Sequence, residues 1–505
     1  MRFLLPLLLV FSALLCLLPG CEPKEDLLTT DGSARLEFSA DTVLFDTVFA
    51  QVGTVSKRLW VYNRNNRAVR VEQIRLANTN PGTYSLLING DETTTANNLE
   101  IRGKDSILIL VKAVLGPSAT VNKPFLVDDQ VLFRTNGNEQ DVKLVAYGQN
   151  AYFHVLERLP CNAVWLNYKP HVIYGAALVD SACTLRIQPG TRIYSHAGSA
   201  LIVRGTLLVN EGVTPASELP DDDQETFVRF QGDRLEPAYN DVPGQWAGIQ
   251  FDASSSRNNV VRFTEIKNSS FGLLVFNPRN RQPHPRVTVE NTILRNISGA
   301  ALTFASAGQG FDGAGIFGIS GDFDLRNCLL TNCGEYAVRG IGGAYNLNYC
   351  TIANYTPQFQ RKDKASLDFT NDPADSRATL PNSTSLSLNN SIVWGSIADE
   401  LFFKNGDQYR PNLNIRNSML RTADYRAATD DGNKLGFANN NNQINVNPKF
   451  KRSPENFGDK FDYRLDTLSP ASNKGVYNAL VPRDLLNKTR NTSTPDLGAY
   501  ERVNP

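Results

Sequence analysis

Two stretches decide the fold of this chain: Phe323-Asp324-Leu325-Arg326-Asn327-Cys328-Leu329-Leu330-Thr331-Asn332 and Tyr345-Asn346-Leu347-Asn348-Tyr349-Cys350-Thr351-Ile352-Ala353-Asn354. They superpose with a shift of 22 residues (350 − 328 = 22), which places Cys328 on Cys350 and Asn332 on Asn354. A repeat with a period of about 20–50 residues is typical of an architecture of stacked coils. The repeat therefore predicts a solenoid, and it does not name a substrate.

Further coils of this kind are predicted from residue 151 to residue 440. Each reads as a strand, a glycine or asparagine corner and another strand, as in Leu185–Thr191, Leu201–Leu207 and Val287–Asn291. Asparagine suits the corners because it tolerates a left-handed backbone and its amide bonds local backbone groups. We therefore expect the corner amides of stacked coils to form a ladder.

The composition excludes two classes of partner. The chain has 505 residues, with 51 Lys+Arg against 51 Asp+Glu. This balance gives no basic footprint for nucleic acid and no basic patch for an anionic membrane surface. The length exceeds that of one ordinary domain, although a solenoid can absorb many residues.

The N-terminus is predicted to be a targeting segment that ends in a lipid anchor. Residues 1–20 read as a signal peptide, since the apolar run Leu4–Leu18 is short and begins next to Arg2. The run ends in Leu18-Pro19-Gly20-Cys21, which looks like a bacterial lipobox whose cysteine is acylated. The alternative is an ordinary signal peptide with an incidental cysteine. Several acyl chains on Cys21 would anchor the protein stably, because each buried methylene adds roughly 0.8 kcal/mol.

Residues 21–33 are expected to form the lipidated start and a polar tether. Within them, Lys24-Glu25-Asp26 resembles a surface-export signal of Bacteroidetes lipoproteins. The predicted location is therefore the outer membrane, with both the periplasmic and the extracellular face left open.

Five cysteines remain after the signal peptide and Cys21 are set aside, and export places them where disulfides form. Cys161 and Cys183 are one coil apart (183 − 161 = 22), so a disulfide between adjacent coils is predicted. Cys328 and Cys350 are expected to stack one coil apart, although Cys333 competes as a partner. An odd number leaves at least one thiol free or intermolecular.

Residues 34–150 are predicted to form an antiparallel β-sandwich. About seven short, mostly alternating strands are separated by turn sequences such as Asn80-Pro81-Gly82 and Asn136-Gly137-Asn138. The alternative is a β-rich cap that continues into the solenoid. We interpret the sandwich as a spacer between membrane and solenoid.

These features together bring out a resemblance to a family. The order of lipobox, sandwich, Gly190-Thr191 and Gly205-Thr206 turns, Gln245–Ile249 and asparagine-terminated coils resembles the right-handed parallel β-helix lipoproteins of Bacteroidetes. The resemblance covers most of residues 150–420. It implies an all-β chain in which an Ig-like β-sandwich precedes a right-handed parallel β-helix. It implies little about activity.

Residues 441–505 look like the end module called a choice-of-anchor domain, which closes many such helices. The resemblance rests on Ser469–Gly475 and Asp496–Glu501, with Asn473 where family members often carry a longer or acidic side chain.

Insertions into the coils mark places where a partner site is expected, because solenoid insertions map to loops on one face. The matched positions Thr292 and Cys328 are 36 residues apart (328 − 292), and we assign the surplus to Ala305–Ile319. Cys350 and Ser391 are 41 residues apart (391 − 350), with the excess assigned between Gln358 and Ser383. The acidic stretch Asp221–Glu225 is a third such place.

The candidate site lies on the outward side of the repeat. If Phe323 and Leu325 point inward, Asp322, Asp324 and Arg326 point outward by two-residue alternation. The register then places Asp322 beside Arg286 and Arg326 beside Glu290 on the preceding coil. Opposite charges on adjacent strands form a stabilising ladder, whereas an active site keeps like charges close to perturb a pKa. Asp324 is expected to be unpaired, which makes it the best single candidate for an acid.

Two functions are compatible with these patterns. The first is a non-catalytic, lipid-anchored protein whose β-helix presents a binding face to a glycan or a protein. The alternative is a polysaccharide lyase or glycoside hydrolase that uses Asp322, Asp324 and Arg326. A salt-paired face favours binding, and a groove with three or more unpaired charges favours the enzyme.

Neither a cofactor nor a metal is predicted. Gly308–Gly313 matches G-x-G-x-x-G, but the residues after Gly313 have no helical period, which a dinucleotide site would need. The histidines have no metal-ligand spacing and are expected at the surface or in turns: His154, His171, His196 and His284. The tryptophans are expected to pack in the core rather than stack on sugars: Trp165, Trp246 and Trp394.

Overall fold

The computed structural model of the protein describes residues 27–118, 123–212, 225–304, 309–357, 361, 364–373, 382–426, 437–455 and 461–502. The predicted signal peptide, Cys21 and most of the tether lie outside the described residues. The chain divides into two compact units, residues 1–149 and residues 150–505. Among the helices in the described ranges, none is long and apolar enough to cross a membrane.

The first unit is a β-sandwich. Its strands are β1 (Glu37–Phe38), β2 (Thr42–Phe49), β3 (Lys57–Tyr62), β4 (Val69–Leu76), β5 (Tyr84–Ile88), β6 (Asp91–Thr93), β7 (Thr95–Ile101), β8 (Ser106–Ala113), β9 (Phe125–Thr135) and β10 (Asn138–Gln149). They form two five-stranded sheets, in the orders β1-β3-β8-β5-β6 and β2-β10-β9-β4-β7. Alternate apolar residues of both sheets, such as Val61, Val71 and Val142, fill the core between them.

This unit differs from the predicted antiparallel sandwich in one pairing. Strands β2 and β10 run parallel, from Thr42 opposite Lys143 to Phe49 opposite Gln149, and all other pairs in the unit's two sheets are antiparallel. Strands joined by a tight hairpin are antiparallel, whereas parallel strands need a longer connection. Accordingly, β2 and β10 lie near opposite ends of the unit's sequence. Local turn sequences do not encode such a pairing.

The second unit is a parallel β-helix. Its early coils contain β11 (Tyr152–Arg158), β12 (Ala163–Trp165), β13 (His171–Val179), β14 (Thr184–Ile187), β15 (Arg192–Ser195), β16 (Ala200–Val203), β17 (Thr206–Val209), β18 (Val228–Gly232), β19 (Gly248–Asp252), β20 (Asn259–Lys267), β21 (Leu273–Phe276) and β22 (Arg286–Ile297). A hairpin of β23 (Ala301–Phe304) and β24 (Gln309–Asp312) comes next.

The later coils continue the stack. They contain β25 (Ala314–Ile319), β26 (Asp322–Arg326), β27 (Leu329–Cys333), β28 (Tyr336–Ile341), β29 (Gly343–Asn348), β30 (Thr351–Asn354), β31 (Leu367–Thr370), β32 (Thr384–Asn389), β33 (Ile392–Gly395), β34 (Leu401–Lys404), β35 (Leu413–Arg416), β36 (Met419–Leu420) and β37 (Gln443–Ile444). An antiparallel pair, β38 (Phe450–Arg452) and β39 (Asp462–Leu465), lies beyond them. Short helical turns occur at Pro237–Tyr239, Gly406–Tyr409, Arg410–Asn412 and Phe437–Asn440.

Each complete coil contributes one strand to each of three parallel sheets. Sheet A contains β14, β17, β26, β29, β32 and β35 with the first halves of β20 and β22. Sheet B contains β16, β19, β21, β25, β28, β31 and β34. Sheet C contains β15, β18, β27, β30, β33 and β36 with the second halves of β20 and β22. One apolar core runs through the centre of the stack.

The predicted register of the repeat is confirmed. Phe323 lies opposite Tyr345 and Leu325 lies opposite Leu347, and the side chains of these four residues are buried in the central core. The fold class, an all-β chain with a parallel β-helix after an N-terminal sandwich, is therefore as predicted.

Asparagines form the corners between sheets, and their backbones are left-handed. The φ angles at the corner between sheets A and C are 49° at Asn291, 51° at Asn327, 51° at Asn390 and 47° at Asn417. Tyr349 takes the corresponding corner one coil above Asn327, with a φ of 53°. Amides of neighbouring coils bond one another, as between Asn332 and Asn296 (2.6 Å) at the next corner.

The C-terminal segment (residues 445–455 and 461–502) runs back along the outside of sheet C. Its buried residues form one apolar cluster with outward residues of five or more coils, from Phe227 and Phe263 to Trp394 and Met419. The last coil is instead packed by Tyr425 and Phe437, whose rings contact Phe403. Most of the C-terminal segment therefore covers the flank of sheet C, and the resemblance of residues 441–505 to a choice-of-anchor module stays a prediction.

Two of the three predicted insertions are placed differently from the prediction, and the third, Asp221–Glu225, lies outside the described residues except for Glu225. The first is the hairpin β23–β24, and Ala314–Ile319 is an ordinary strand of sheet B rather than surplus. The second is split, because β31 (Leu367–Thr370) is an ordinary strand in the middle of the stretch from Gln358 to Ser383. Alternation alone could not separate a strand from its flanking insertions.

The cysteines fall into two groups. A disulfide joins Cys161 to Cys183, across the first two coils. Cys328, Cys333 and Cys350 are buried free thiols in the core. Cys328 and Cys350 are one coil apart, and burial together with the hydrogen bond to Cys350 raises the pKa of the Cys328 thiol. Burial also raises the pKa of Cys333, to about 12.

Candidate functional site

The outward side of sheet A carries three columns of mostly polar residues, mainly from β22 to β35. The first contains Arg286, Asp322, Ala344 and Ser385. The second contains Thr288, Asp324, Asn346, Ser387 and Asn414. The third contains Arg262, Glu290, Arg326, Asn348, Asn389 and Arg416. Parallel pairing repeats these groups at about 4.8 Å per coil.

Asp322 is held by donors from three directions. Arg257 Nη1 lies 2.8 Å from its Oδ2, while His284 Nδ1 (3.2 Å) and the amide of Ala344 (3.1 Å) contact Oδ1. Burial raises the pKa of Asp322, but the hydrogen bonds from His284, Arg257 and Ala344 outweigh it and leave this pKa below its ordinary value. Asp322 is thus a stable carboxylate rather than a proton donor.

Asp324 is not unpaired, and that expectation is wrong. Its Oδ2 accepts hydrogen bonds from Arg326 Nη2 (2.6 Å) and Arg286 Nη2 (3.3 Å), and its Oδ1 accepts one from Asn346 Nδ2 (2.9 Å). Arg286 faces Asp322 in the register, yet its guanidinium bonds Asp324 diagonally. Long side chains can reach diagonal neighbours, which the register alone does not reveal.

Glu290 completes the network in the third column. Its carboxylate lies 2.9 Å from Arg262 Nε and 3.0 Å from Arg326 Nη1, so two arginines on adjacent coils share it. Arg326 in turn joins Glu290 to Asp324. The structure therefore brings together all three predicted residues, Asp322, Asp324 and Arg326, as members of an ion-pair ladder.

A groove of about 300 Å³ lies over the first two columns. Its charged wall contains Arg257, Arg286, Asp322 and Asp324, and its polar wall contains Asn346, Ser385, Ser387, Asn412 and Asn414. Asn346 and Asn414 are exposed, and Arg257 and Arg286 each keep 42% of the side chain exposed. The groove therefore offers guanidinium, amide and hydroxyl groups to a ligand.

Each acid of the ladder is paired with a cation: Asp322 with Arg257, Asp324 with Arg326 and Glu290 with Arg262. The described parts of the chain also hold no group of three or more His, Cys, Asp and Glu that could bind a metal ion.

The histidines are more buried than predicted, whereas the tryptophans lie where they were expected. His154 and His171 are buried in strands, so the expectation of surface or turn positions is wrong for these two, whereas His284 is buried in the loop before β22 and His196 is half-exposed. His154, His171 and Trp165 stack on one another near the first coil. All three predicted core tryptophans, Trp165, Trp246 and Trp394, are buried.

Three members of the site, Arg257, His284 and Arg262, were not predicted from the sequence. Arg262 could have been found, because it occupies the position one coil before Glu290. Arg257 and His284 lie outside the strands of sheet A, so no periodicity marks them.

Comparisons with known proteins give no relative from which a function can be inferred. No family model and no curated protein matches the chain. Among solved structures, the ASH/PapD-like domain 7 of human CEP192 is 10% identical, with a TM-score of 0.17, and the match covers 24% of this chain and 91% of that one. A family 123 glycoside hydrolase from Clostridium perfringens is 8% identical, with a TM-score of 0.16, and the match covers 26% of this chain and 30% of that one. At these TM-scores neither match bears on function.

Proposed function

We propose that the protein is a lipid-anchored protein of the bacterial outer membrane whose β-helix binds a glycan on sheet A without cleaving it. The observation that carries the proposal is the state of the charges there. Asp322, Asp324 and Glu290 are each paired with arginine, whereas Asn346 and Asn414 are exposed beside them.

Sheet A is the favoured binding surface because the other two sheets are occupied differently. The outward residues of sheet C pack against the C-terminal segment. Many outward residues of sheet B form a second buried apolar cluster that includes Leu274 and Phe317. From β22 to β35 most outward residues of sheet A are polar, and Asn346, Asn414 and Arg416 are exposed.

A glycan is the partner class that best suits this surface. Amide and hydroxyl groups both donate and accept hydrogen bonds, as sugar hydroxyls do. Their repetition along the stack provides equivalent contacts for successive residues of a linear chain. A protein partner is the alternative, and direct binding to purified glycans distinguishes the two.

The membrane part of the proposal is supported by the lipobox-like Leu18-Pro19-Gly20-Cys21 and the resemblance to Bacteroidetes lipoproteins. Metabolic labelling with an alkyne fatty acid tests it. We expect label on the native chain and none on Cys21→Ser, which should leave the membrane fraction. Equal labelling of the native chain and of Cys21→Ser would refute the lipid anchor and would not affect the glycan proposal.

The glycan proposal is tested by an array of neutral and acidic polysaccharides probed with the full-length protein in detergent. We expect binding to at least one glycan, and the double variant Asn346→Ala/Asn414→Ala should bind it about tenfold more weakly, since each lost neutral hydrogen bond is worth about 0.5–1.5 kcal/mol. The matched control is Asn66→Ala/Asn97→Ala, which removes two exposed amides from the first unit.

Two results would contradict the proposal. One is a bound glycan whose affinity is the same in both double variants. The other is release of oligosaccharides, detected by mass spectrometry, that Asp324→Asn abolishes, because this would establish the enzymatic alternative.

A further inference from the structure

Sheet B also carries a column of outward residues, and this column differs from the ion-pair ladder of sheet A. Successive coils place Leu274, Phe317, Arg339, Asp368 and Phe402 opposite one another. Leu274 and Phe317 belong to a buried apolar cluster. Beyond Phe317 the column becomes charged, and it ends on Phe402, which is 46% exposed.

The two insertions meet at the charged part of this column. Lys364, from the second insertion, places its Nζ 3.2 Å from Asp312 Oδ2 at the end of the hairpin. The same Nζ lies 3.1 Å from Tyr336 Oη on β28. Arg339 stacks on the Tyr336 ring, with its Cζ 4.6 Å from the ring centroid. These contacts hold Arg339 in place while 19% of its side chain stays exposed.

Arg339 and Asp368 face each other without completing their hydrogen bonds. Arg339 Nε lies 3.8 Å from Asp368 Oδ1, which is too long for a direct hydrogen bond. Within the described residues, Nε of Arg339 is buried and has no acceptor, Nη1 donates to the carbonyl oxygen of Asp312 (3.4 Å), and the Asp368 carboxylate accepts no hydrogen bond. Burial raises the pKa of Asp368, and Arg339 opposes this only in part.

The Asp368 carboxylate lacks a hydrogen-bond donor, and the partly exposed Arg339 beside it can still donate through its guanidinium to a ligand. A hydroxyl carries one donor and two acceptor lone pairs, so it can donate to Asp368 while accepting from Arg339. The neighbouring Phe402 adds an exposed apolar ring one coil further along. A ligand with hydroxyls on its edge and an apolar face therefore matches the column.

We propose that Arg339, Asp368 and Phe402 form a second carbohydrate site, which holds a neutral sugar residue with its ring against Phe402 and a hydroxyl between Asp368 and Arg339. The charges favour a neutral sugar. Arg339 and Lys364 are balanced by Asp312 and Asp368, so no net charge selects an acidic ligand. This site is on sheet B and does not depend on the binding proposed for sheet A.

The test uses immobilised neutral hexasaccharides of glucose, mannose and galactose, with hexagalacturonate as the acidic probe, and the full-length protein in detergent. We expect a neutral hexasaccharide to bind. Phe402→Ala, which removes the ring under the sugar, and Asp368→Asn, which removes the charged acceptor, should each weaken that binding about tenfold. Phe402→Tyr should keep affinity within about twofold, because it retains the ring.

The controls separate this site from other causes. Tyr168→Ala removes another exposed aromatic residue of the second unit and should have no effect. Asn346→Ala/Asn414→Ala, which impairs sheet A, should leave the Phe402-dependent component unchanged. The inference is overturned if Phe402→Ala binds every neutral hexasaccharide as the native protein does, or if hexagalacturonate is the ligand lost in Phe402→Ala.

Discussion

Arg490 Nη2 lies 2.8 Å from Asn327 Oδ1, although the two residues are 163 positions apart in the sequence. The Arg490 side chain is fully buried, and its guanidinium lies 3.9 Å from the centroid of the Tyr349 ring. Asn327 and Tyr349 are successive corners of the β-helix. The corner ladder therefore binds the C-terminal segment as well as turning the chain.

Other corners make the same kind of contact. Asn291 Nδ2 donates to the carbonyl oxygen of Asp484 (2.6 Å), and Asn390 Nδ2 donates to that of Val476 (3.1 Å). The amide of Val476 donates back to Asn390 Oδ1 (2.8 Å). Amides that point outward from the corners thus satisfy backbone groups of a segment that has little regular structure of its own.

Replacing Arg490 should release this segment. Arg490→Met leaves Glu501 and Asp484 without their buried cation, and removal of one partner from a buried pair costs about 3–5 kcal/mol. We expect a lower urea midpoint and faster cleavage by trypsin or chymotrypsin between residues 445 and 502. Arg279→Met, at an exposed position, is the matched control. Unchanged cleavage kinetics in Arg490→Met would refute the anchoring role.

The route of this segment shows where prediction from the sequence succeeds and where it stops. The 22-residue spacing predicted that Leu325 and Leu347 stack, because parallel pairing in a coil is determined by period and alternation alone. No such period exists in residues 445–502, so nothing local indicates that Arg490 returns to Asn327. The same limit applies at the site, where the register of Asp322 was predictable and the diagonal bond from Arg286 to Asp324 was not.

Removing the Cys161–Cys183 disulfide should loosen the first coils. It closes a loop of 22 residues, and the chain-entropy model gives about 3 kcal/mol for a loop of about that size. In Cys161→Ser/Cys183→Ser we expect faster hydrogen exchange in β12 and β14, with sheet strands near Leu347 unaffected. Cys333→Ser, a buried free thiol elsewhere in the core, controls for loss of a cysteine as such. Equal protection of β12 and β14 in native and variant protein would count against the prediction.

The stacked histidines make stability depend on pH. Burial is the main cause that lowers the pKa of His171, to about 3, and the neighbouring His154 lowers it further. Burial also lowers the pKa of His154, which Glu157 raises only in part. An unfolded histidine titrates near 6.5, so below that pH the unfolded chain binds more protons than the folded one.

Stability contributed by this pair should therefore be constant above about pH 6.5 and decrease as the pH falls toward 3. Thermal unfolding measured from pH 7.5 to pH 4 gives the slope. We expect His171→Asn to be less stable at pH 7.5 but to lose less on acidification than the native protein. His196→Asn, which replaces a half-exposed histidine, should keep the native slope. A native slope in His171→Asn would show that other groups cause the acid sensitivity.

Asp324 is the residue for which the structural and the catalytic interpretations differ most. Only 4% of its side chain is exposed, and it joins Arg286 to Arg326 while accepting from Asn346. If it holds the ladder together, Asp324→Asn should lower the free energy of unfolding by about 1.5–3 kcal/mol, because hydrogen bonds to charged groups are worth that much. Asn346→Ala should cost less, because it removes one hydrogen bond to the same carboxylate and leaves the bonds from Arg286 and Arg326 in place. Asp91→Asn, at an exposed carboxylate, should cost nothing measurable.

Urea unfolding of the three variants measures this order. A fully stable Asp324→Asn would contradict the structural role of this carboxylate in the ladder.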